Sequence, residues 1–297
     1  MASQKLQDLI ARRRAAPYDP SQSVEFLRGP KPDGGSVPRE NTTVEAVDAN
    51  GVPCEWVIAG EPSTDVVFIY LHGGGYYRST AVASRRIASD LSHHCNCRSF
   101  TVEYRLAPEH PFPAAVDDAL TAYRWLIAQG TPADKIVFGG GSAGGGLSAA
   151  LMAKLKETGE AQPGGAVLLS PWVDLSQSSE TFVTNADTDP TISKQYLDRM
   201  SGYYLNGTDP KDPIASPLFS DLSDLPPILI QVGNLETMYG ESIAYAQKAV
   251  AAGVTVVFEP YDDVIHGWHN QAYVIPDIPE SLLSLDRIGN FIRSYVS

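Results

Sequence analysis

The chain of 297 residues has only three cysteines, Cys54, Cys95 and Cys97, an odd and sparse set that excludes a disulfide framework. It also lacks long apolar runs: the longest, Val66–Leu71, falls far short of the roughly 20 residues a helix needs to span a bilayer. No apolar h-region follows Met1, so no secretory signal is read there. Arg12-Arg13-Arg14 hints at a transit peptide, but Asp8 and the spacing of Leu6, Leu9 and Ile10 fit a solvated amphipathic helix better, and the expected location is cytoplasmic. Basic residues are scarce, 22 against 35 acidic ones, and the resulting charge of −13 argues against nucleic acid and anionic membranes as partners. Zinc-finger spacing is missing too. The cluster His93-His94-Cys95-Asn96-Cys97 has no second ligand pair, so a helix terminus with a buried thiol is expected there and no metal.

What is present describes an ordinary globule, 43% hydrophobic and 19% charged, long enough for one large α/β domain. Strand-like runs occur at 43–47, 54–59, 66–71, 99–104, 135–138, 166–170, 228–232 and 255–259. The first two or three are separated by turn-length gaps, which predicts antiparallel pairing; the later ones alternate with helix-length segments, as parallel crossovers require. Helices are expected at 83–92, 115–128, 145–156, 239–252 and 282–295, with Val116, Leu120, Tyr123 and Ile127 at helical spacing before the stop at Gly130. The predicted fold class is therefore α/β, a mainly parallel eight-stranded sheet flanked by helices. Residues 1–40 and 175–217 break the alternation and are read as a cap over the carboxyl ends of the strands, within a single domain spanning 1–297.

The most informative segment is Lys135–Gly146, an apolar run entering a serine between glycines and continuing as a helix pattern. Gly140-Gly141-Ser142-Ala143-Gly144 satisfies G-x-S-x-G, the sharp strand-to-helix turn that presents a nucleophilic hydroxyl above a sheet. The same letters satisfy a rival, since Gly139-x-Gly141-x-x-Gly144 matches the dinucleotide-binding G-x-G-x-x-G. Tight helix packing is a third reading, although six glycines among residues 139–146 exceed what packing requires. The nucleotide reading wants an acidic residue ending a second strand about 20 residues on. Glu157 and Glu160 stand at a helix end instead, and the loop follows the fifth strand rather than the first.

A serine hydroxyl needs a base, an acid to hold the imidazole and donors for the oxyanion. Of the six histidines, His266 lies in a loop just past the last strand, where it can reach Ser142; His269, its near rival, is expected to start the following helix. Glu236 is the first carboxylate beyond the seventh strand, in Ser…acid…His order. Glu241 would be carried away by the next helix, while Asp262 and Asp263 lie too near the histidine. The turn His72-Gly73-Gly74-Gly75 ends the third strand without side-chain bulk and offers backbone donors, joined by the N–H of Ala143. His72 is read as a residue that holds this loop rather than as a base.

In these markers, in order, the chain resembles the hormone-sensitive-lipase-like (family IV) carboxylesterases of the α/β-hydrolase fold. They are His72–Gly75, the run Tyr104–Pro113, Ser142-Ala143-Gly144, Ser170–Asp174, Ala215–Leu218 and His266-Gly267, and the match extends from residue 43 to the end. The resemblance implies that Gly74 and Gly75 donate to the oxyanion together with Ala143, and that the N-terminal helix and the segment after strand six form a lid. It implies no cofactor, short to medium acyl esters as small-molecule substrates, and homodimers paired through the last strand. Two departures stand out: Gly141 occupies a position usually held by aspartate, and Glu236-Thr237-Met238 replaces the usual Asp-Pro-Leu. A lactone hydrolase or amidase would use the same machinery. A non-catalytic receptor on this scaffold would tend to have lost the serine or histidine, and both are here.

Overall fold

The computed structural model describes residues 2–15, 19, 22–29, 36–269 and 278–296. Eight strands form one sheet among them: β1 (Thr42–Ala49), β2 (Val52–Ala59), β3 (Val67–Leu71), β4 (Arg98–Val102), β5 (Ile136–Gly141), β6 (Gly165–Leu169), β7 (Ile228–Gly233) and β8 (Val256–Tyr261). Their spatial order is β1-β2-β4-β3-β5-β6-β7-β8. β1 and β2 pair as a hairpin whose turn residues, Asn50 and Gly51, both have positive φ, as a tight turn between right-twisted strands requires. The antiparallel expectation holds for β1 and β2 but not for β3. The crossover from β3 places β4 outside it, so β2 pairs antiparallel with β4, and β3 runs parallel to both β4 and β5. From β3 onward every pairing is parallel.

Nine helices accompany the sheet among the described residues: α1 (Gln4–Ala15), α2 (Val24–Arg28), α3 (Arg85–Cys95), α4 (Ala114–Ala128), α5 (Ala143–Thr158), α6 (Thr181–Thr184), α7 (Lys194–Leu205), α8 (Tyr239–Ala251) and α9 (Pro279–Tyr295). Both faces of β3, β5, β6 and β7 are buried, and their apolar runs follow from this. Val67, Ile69 and Leu71 join a core containing Leu120 of α4, Leu147 and Leu151 of α5 and Tyr245 of α8. Phe68 and Tyr70 face the other way, toward Leu91 of α3 and Ile288 and Phe291 of α9. The parallel arrangement brings the carboxyl ends of β3, β5, β6, β7 and β8 to one edge, where the loops carrying Gly73–Gly75, Ser142, Glu236 and His266 begin.

The segments outside the alternation gather there too. Leu6 and Leu9 of α1 pack on Tyr261, Val264, Ile265 and Trp268, in and after β8. Part of the expected 1–40 cap, including 30–35 of its Pro/Gly-rich passage, lies outside the described residues. The helix anticipated near 192–204 is α7, started by Ser193, whose side chain accepts from the Tyr196 N–H. The His93–Cys97 cluster is a helix end: Asn96 takes the left-handed conformation as C-cap, and Cys95 and Cys97 are buried. Among the described residues no group of three or more His, Cys, Asp or Glu side chains could hold a metal, and no helix is long and apolar enough to cross a membrane.

Candidate active site

Ser142 stands between β5 and α5 with φ 56° and ψ −121°, a strained conformation for a residue with a side chain. The backbone holds it there: its N–H donates to Leu169 O at 2.9 Å, and its carbonyl accepts from Gly146 and Trp172, each at 3.0 Å. The surrounding glycines are a steric necessity. A Cβ on Gly140 would lie 2.1 Å from Leu71 O, and one on Gly144 1.9 Å from the same oxygen. Helix α5 thus crosses the end of β3 in van der Waals contact and brings Ser142 beside the glycine loop. A Cβ on Gly73 would meet Gly141 O at 2.6 Å and Ser142 Cβ at 3.5 Å. The helix begins at Ala143, two residues earlier than anticipated, which makes the Ala143 N–H one of the unpaired amides of the first turn.

In the glycine loop, Gly74 and Gly75 both have positive φ, +114° and +63°. The Gly74 carbonyl turns away and accepts from Tyr77 and Arg78, and among the described residues neither Gly74 nor Gly75 donates its N–H to a backbone carbonyl. His72 holds the loop. Its Nδ1–H donates to Gly73 O at 2.8 Å, its ring stacks on Tyr104, and its own carbonyl accepts from the Tyr104 hydroxyl at 2.5 Å. Burial pulls its pKa down to about 4, so the ring stays neutral. Tyr104 was legible only as a member of a motif; its role as the prop of this loop was not.

Glu236 and His266 meet. His266 Nδ1 lies 2.8 Å from Glu236 Oε2, with His266 6% exposed and Glu236 completely buried. The other carboxylate oxygen accepts from Ser170 Oγ at 2.7 Å and from Gly233 N–H at 2.6 Å. Burial raises the Glu236 pKa above its ordinary value, and the bonds from His266 and Gly233 oppose it. Burial pulls on His266 in the opposite sense, but the hydrogen bond and charge of Glu236 outweigh it and leave the imidazole more basic than usual. A buried imidazole whose Nδ1–H is tied to a carboxylate is oriented to work as a base through Nε2.

The rivals are elsewhere engaged. His269, expected at the start of a following helix, lies with Trp268 in 3-10 conformation; it is buried against Trp268, and burial pulls its pKa well down. Glu241 sits inside α8 and accepts from the Val173 N–H at 2.7 Å, bracing the loop after β6. Asp262 pairs with Asn234. Ser170, at the end of β6 with φ 45°, belonged to a recognised motif but had no assigned role; a polar residue closing a buried strand next to β7 was the available signal. Helix α7 covers the glycine loop: a Cβ on Gly75 would lie 3.4 Å from Met200 Cγ and from the Tyr196 hydroxyl, which itself bonds the Tyr77 hydroxyl at 3.2 Å. A cavity of about 530 Å³ beside the β1–β2 hairpin, lined in part by Cys54, Glu55, Ala81 and Glu103, includes none of these residues.

Residues 68–270 match a family described by the α/β-hydrolase fold. An acetyl-hydrolase of Streptomyces hygroscopicus is 36% identical over 84% of this chain and 82% of its own length. A variant of the esterase E40 superposes with a TM-score of 0.93 at 40% identity, covering 100% of both chains. An esterase from the bacterial hormone-sensitive lipase family superposes at 0.91 with 38% identity, again over 100% of both. The sheet order, the glycine-flanked serine on its strained turn and these likenesses agree, and the chain belongs to the α/β-hydrolase family, among the hormone-sensitive-lipase-like esterases.

Proposed function

We propose that this protein is a carboxylic ester hydrolase in which Ser142, His266 and Glu236 form the catalytic triad and Gly74, Gly75 and Ala143 form the oxyanion hole. The observation that carries the proposal is the buried 2.8 Å contact between His266 Nδ1 and Glu236, at the same sheet edge as the strained Ser142. His266 Nε2 takes the Ser142 proton as Oγ attacks the ester carbonyl. The developing oxyanion is stabilised by the three backbone N–H groups and the positive end of α5. His266 then passes its proton to the departing alkoxide, leaving an acyl group on Ser142. Water, deprotonated by His266, releases the acid and restores the serine. Each step is a proton transfer or an addition and elimination at carbon, so no cofactor enters.

Residues 1–40 and 175–217 act as the cap of the single domain, a reading supported by α1 packing behind the His266 loop and by α7 packing on Gly75. Tyr77, Tyr196 and Met200 crowd the glycine loop and favour short to medium acyl groups, in keeping with the acetyl-hydrolase name of one relative. The last strand, β8, is an edge of the sheet and is the place for pairing of two copies. A panel of aryl esters of graded chain length, lactones and anilides, run on the parent and on Ser142→Ala, tests the assignment. Turnover should be greatest on short to medium esters and vanish in the variant. Preference for lactones or anilides would move the activity to ring opening or amide cleavage, and turnover retained by Ser142→Ala would refute the site.

A further inference from the structure

The connector from β6 to β7 does more than cover the site. Residues 181–189 grip the loop that carries Glu236. Asn185 Nδ2 donates to Asn234 O at 3.0 Å and to Glu236 O at 2.8 Å. Thr188 Oγ1 donates to Leu235 O at 3.0 Å, and Thr181 Oγ1 to Thr237 O at 2.6 Å. The carbonyls of four consecutive residues, Asn234 to Thr237, are therefore all taken by side chains of this one segment. The opposite polarity is supplied by Asp189, which is 6% exposed. Its Oδ2 accepts from Thr237 N–H at 3.0 Å and Thr237 Oγ1 at 3.2 Å. Its Oδ1 accepts from the N–H groups of Thr191 and Ile192, at 2.9 and 3.1 Å, directly before Ser193 starts α7.

The geometry points to Asp189, seconded by Asn185, as a positioning residue for Glu236: it fixes the acid's loop from the cap and ties that loop to the helix covering Gly75. The inference rests on the triad proposed above. A short loop with four carbonyls directed at one neighbour has few alternative arrangements while that neighbour is in place. Without Asp189 the Thr237 N–H loses its acceptor and the connector its anchor, and Glu236 can shift relative to His266. Misplacement of a reacting constellation by about 1 Å costs on the order of 10² in rate. Because the loop touches the acid and not the substrate, the loss should appear in kcat.

The test is a double-mutant cycle on the full-length protein with a short aryl ester. Asp189→Ala should lower kcat roughly 10- to 100-fold with KM within about threefold. Asp189→Asn keeps one acceptor oxygen, enough for the Thr191 and Ile192 amides or for the Thr237 N–H but not for both, so it should recover only part of that loss. Placed on Glu236→Gln, whose own loss is expected to be large, Asp189→Ala should cost less than about threefold more, since the acid it positions is already disabled. An equal fold-loss with and without Glu236, an effect confined to KM, or full activity of Asp189→Ala would overturn the inference. If Asp189→Ala does not fold, Asn185→Ala enters the same cycle, with about a tenfold loss of kcat expected and the same refuting outcomes. A fully active Glu236→Gln would instead refute the triad itself, and the positioning role with it.

Discussion

Replacing Glu236 by glutamine changes one oxygen to an amide in a fully buried group, and the surroundings decide how the new side chain must lie. Oε1 accepts from Ser170 Oγ and from Gly233 N–H, while Oε2 accepts from His266 Nδ1. A hydroxyl can rotate to accept, but a backbone N–H cannot, so the amide NH₂ is excluded from the Oε1 position. It must face His266. Two donors then oppose each other, and the imidazole relieves the conflict by moving its proton to Nε2, the nitrogen that accepts the Ser142 proton in the proposed mechanism. Where an amide replaces the triad acid of serine proteases on an unrelated fold, this wrong tautomer costs about 10⁴ in kcat. We expect a loss of roughly 10³ to 10⁴ here, or about 4 to 5.5 kcal/mol of transition-state stabilisation. Initial rates on p-nitrophenyl esters, with thermal unfolding as the control for folding, measure it. A loss under tenfold, or an equal loss from Glu241→Gln with Glu236→Gln active, would refute the reasoning.

Activity should fall as pH drops through the His266 pKa, because the base must be neutral to accept a proton. With Glu236 raising that pKa, the acid limb of kcat/KM should lie above the ordinary histidine value near 6.5. In the residual activity of Glu236→Gln it should shift to lower pH, since burial is then opposed only by the charge of Asp189; a limb that does not move would contradict this. Ser170→Ala removes one donor from the buried carboxylate and should lower kcat about tenfold, the weight of a charge-assisted hydrogen bond, with KM nearly unchanged. Glycine substitutions should divide by geometry: Gly144→Ala drives a Cβ into Leu71 O at 1.9 Å and should cost about 3 kcal/mol or more in urea unfolding. Gly202→Ala, inside α7 with no atom within 4 Å, should instead add up to about 1 kcal/mol.

The strands and long helices were legible because each carries its own signal. Val66–Leu71 is apolar without interruption, and α4 repeats its apolar residues at helical spacing up to Gly130. The position of β4 between β2 and β3 was not legible, because no local pattern states which strand a crossover passes. In the candidate site the residues with chemistry stood out by type and by place after a strand: Ser142, His266, Glu236 and the Gly73–Gly75 turn. Their supports did not. Tyr104, Ser170, Asn185 and Asp189 act across 32 to 66 residues of chain through one or two hydrogen bonds each, and polar residues in a polar connector look like solvated surface. The consequence of Gly141 is partly visible, since its carbonyl lies against the Gly73 backbone, closing the elbow onto the glycine loop.

The most direct test of the account is covalent. Treatment of the purified protein with a fluorophosphonate, followed by peptide mass mapping, should place a single adduct on Ser142, in step with loss of esterase activity and absent from Ser142→Ala. An adduct on another residue, or active protein that takes up no label, would contradict the claim that Ser142 is the nucleophile.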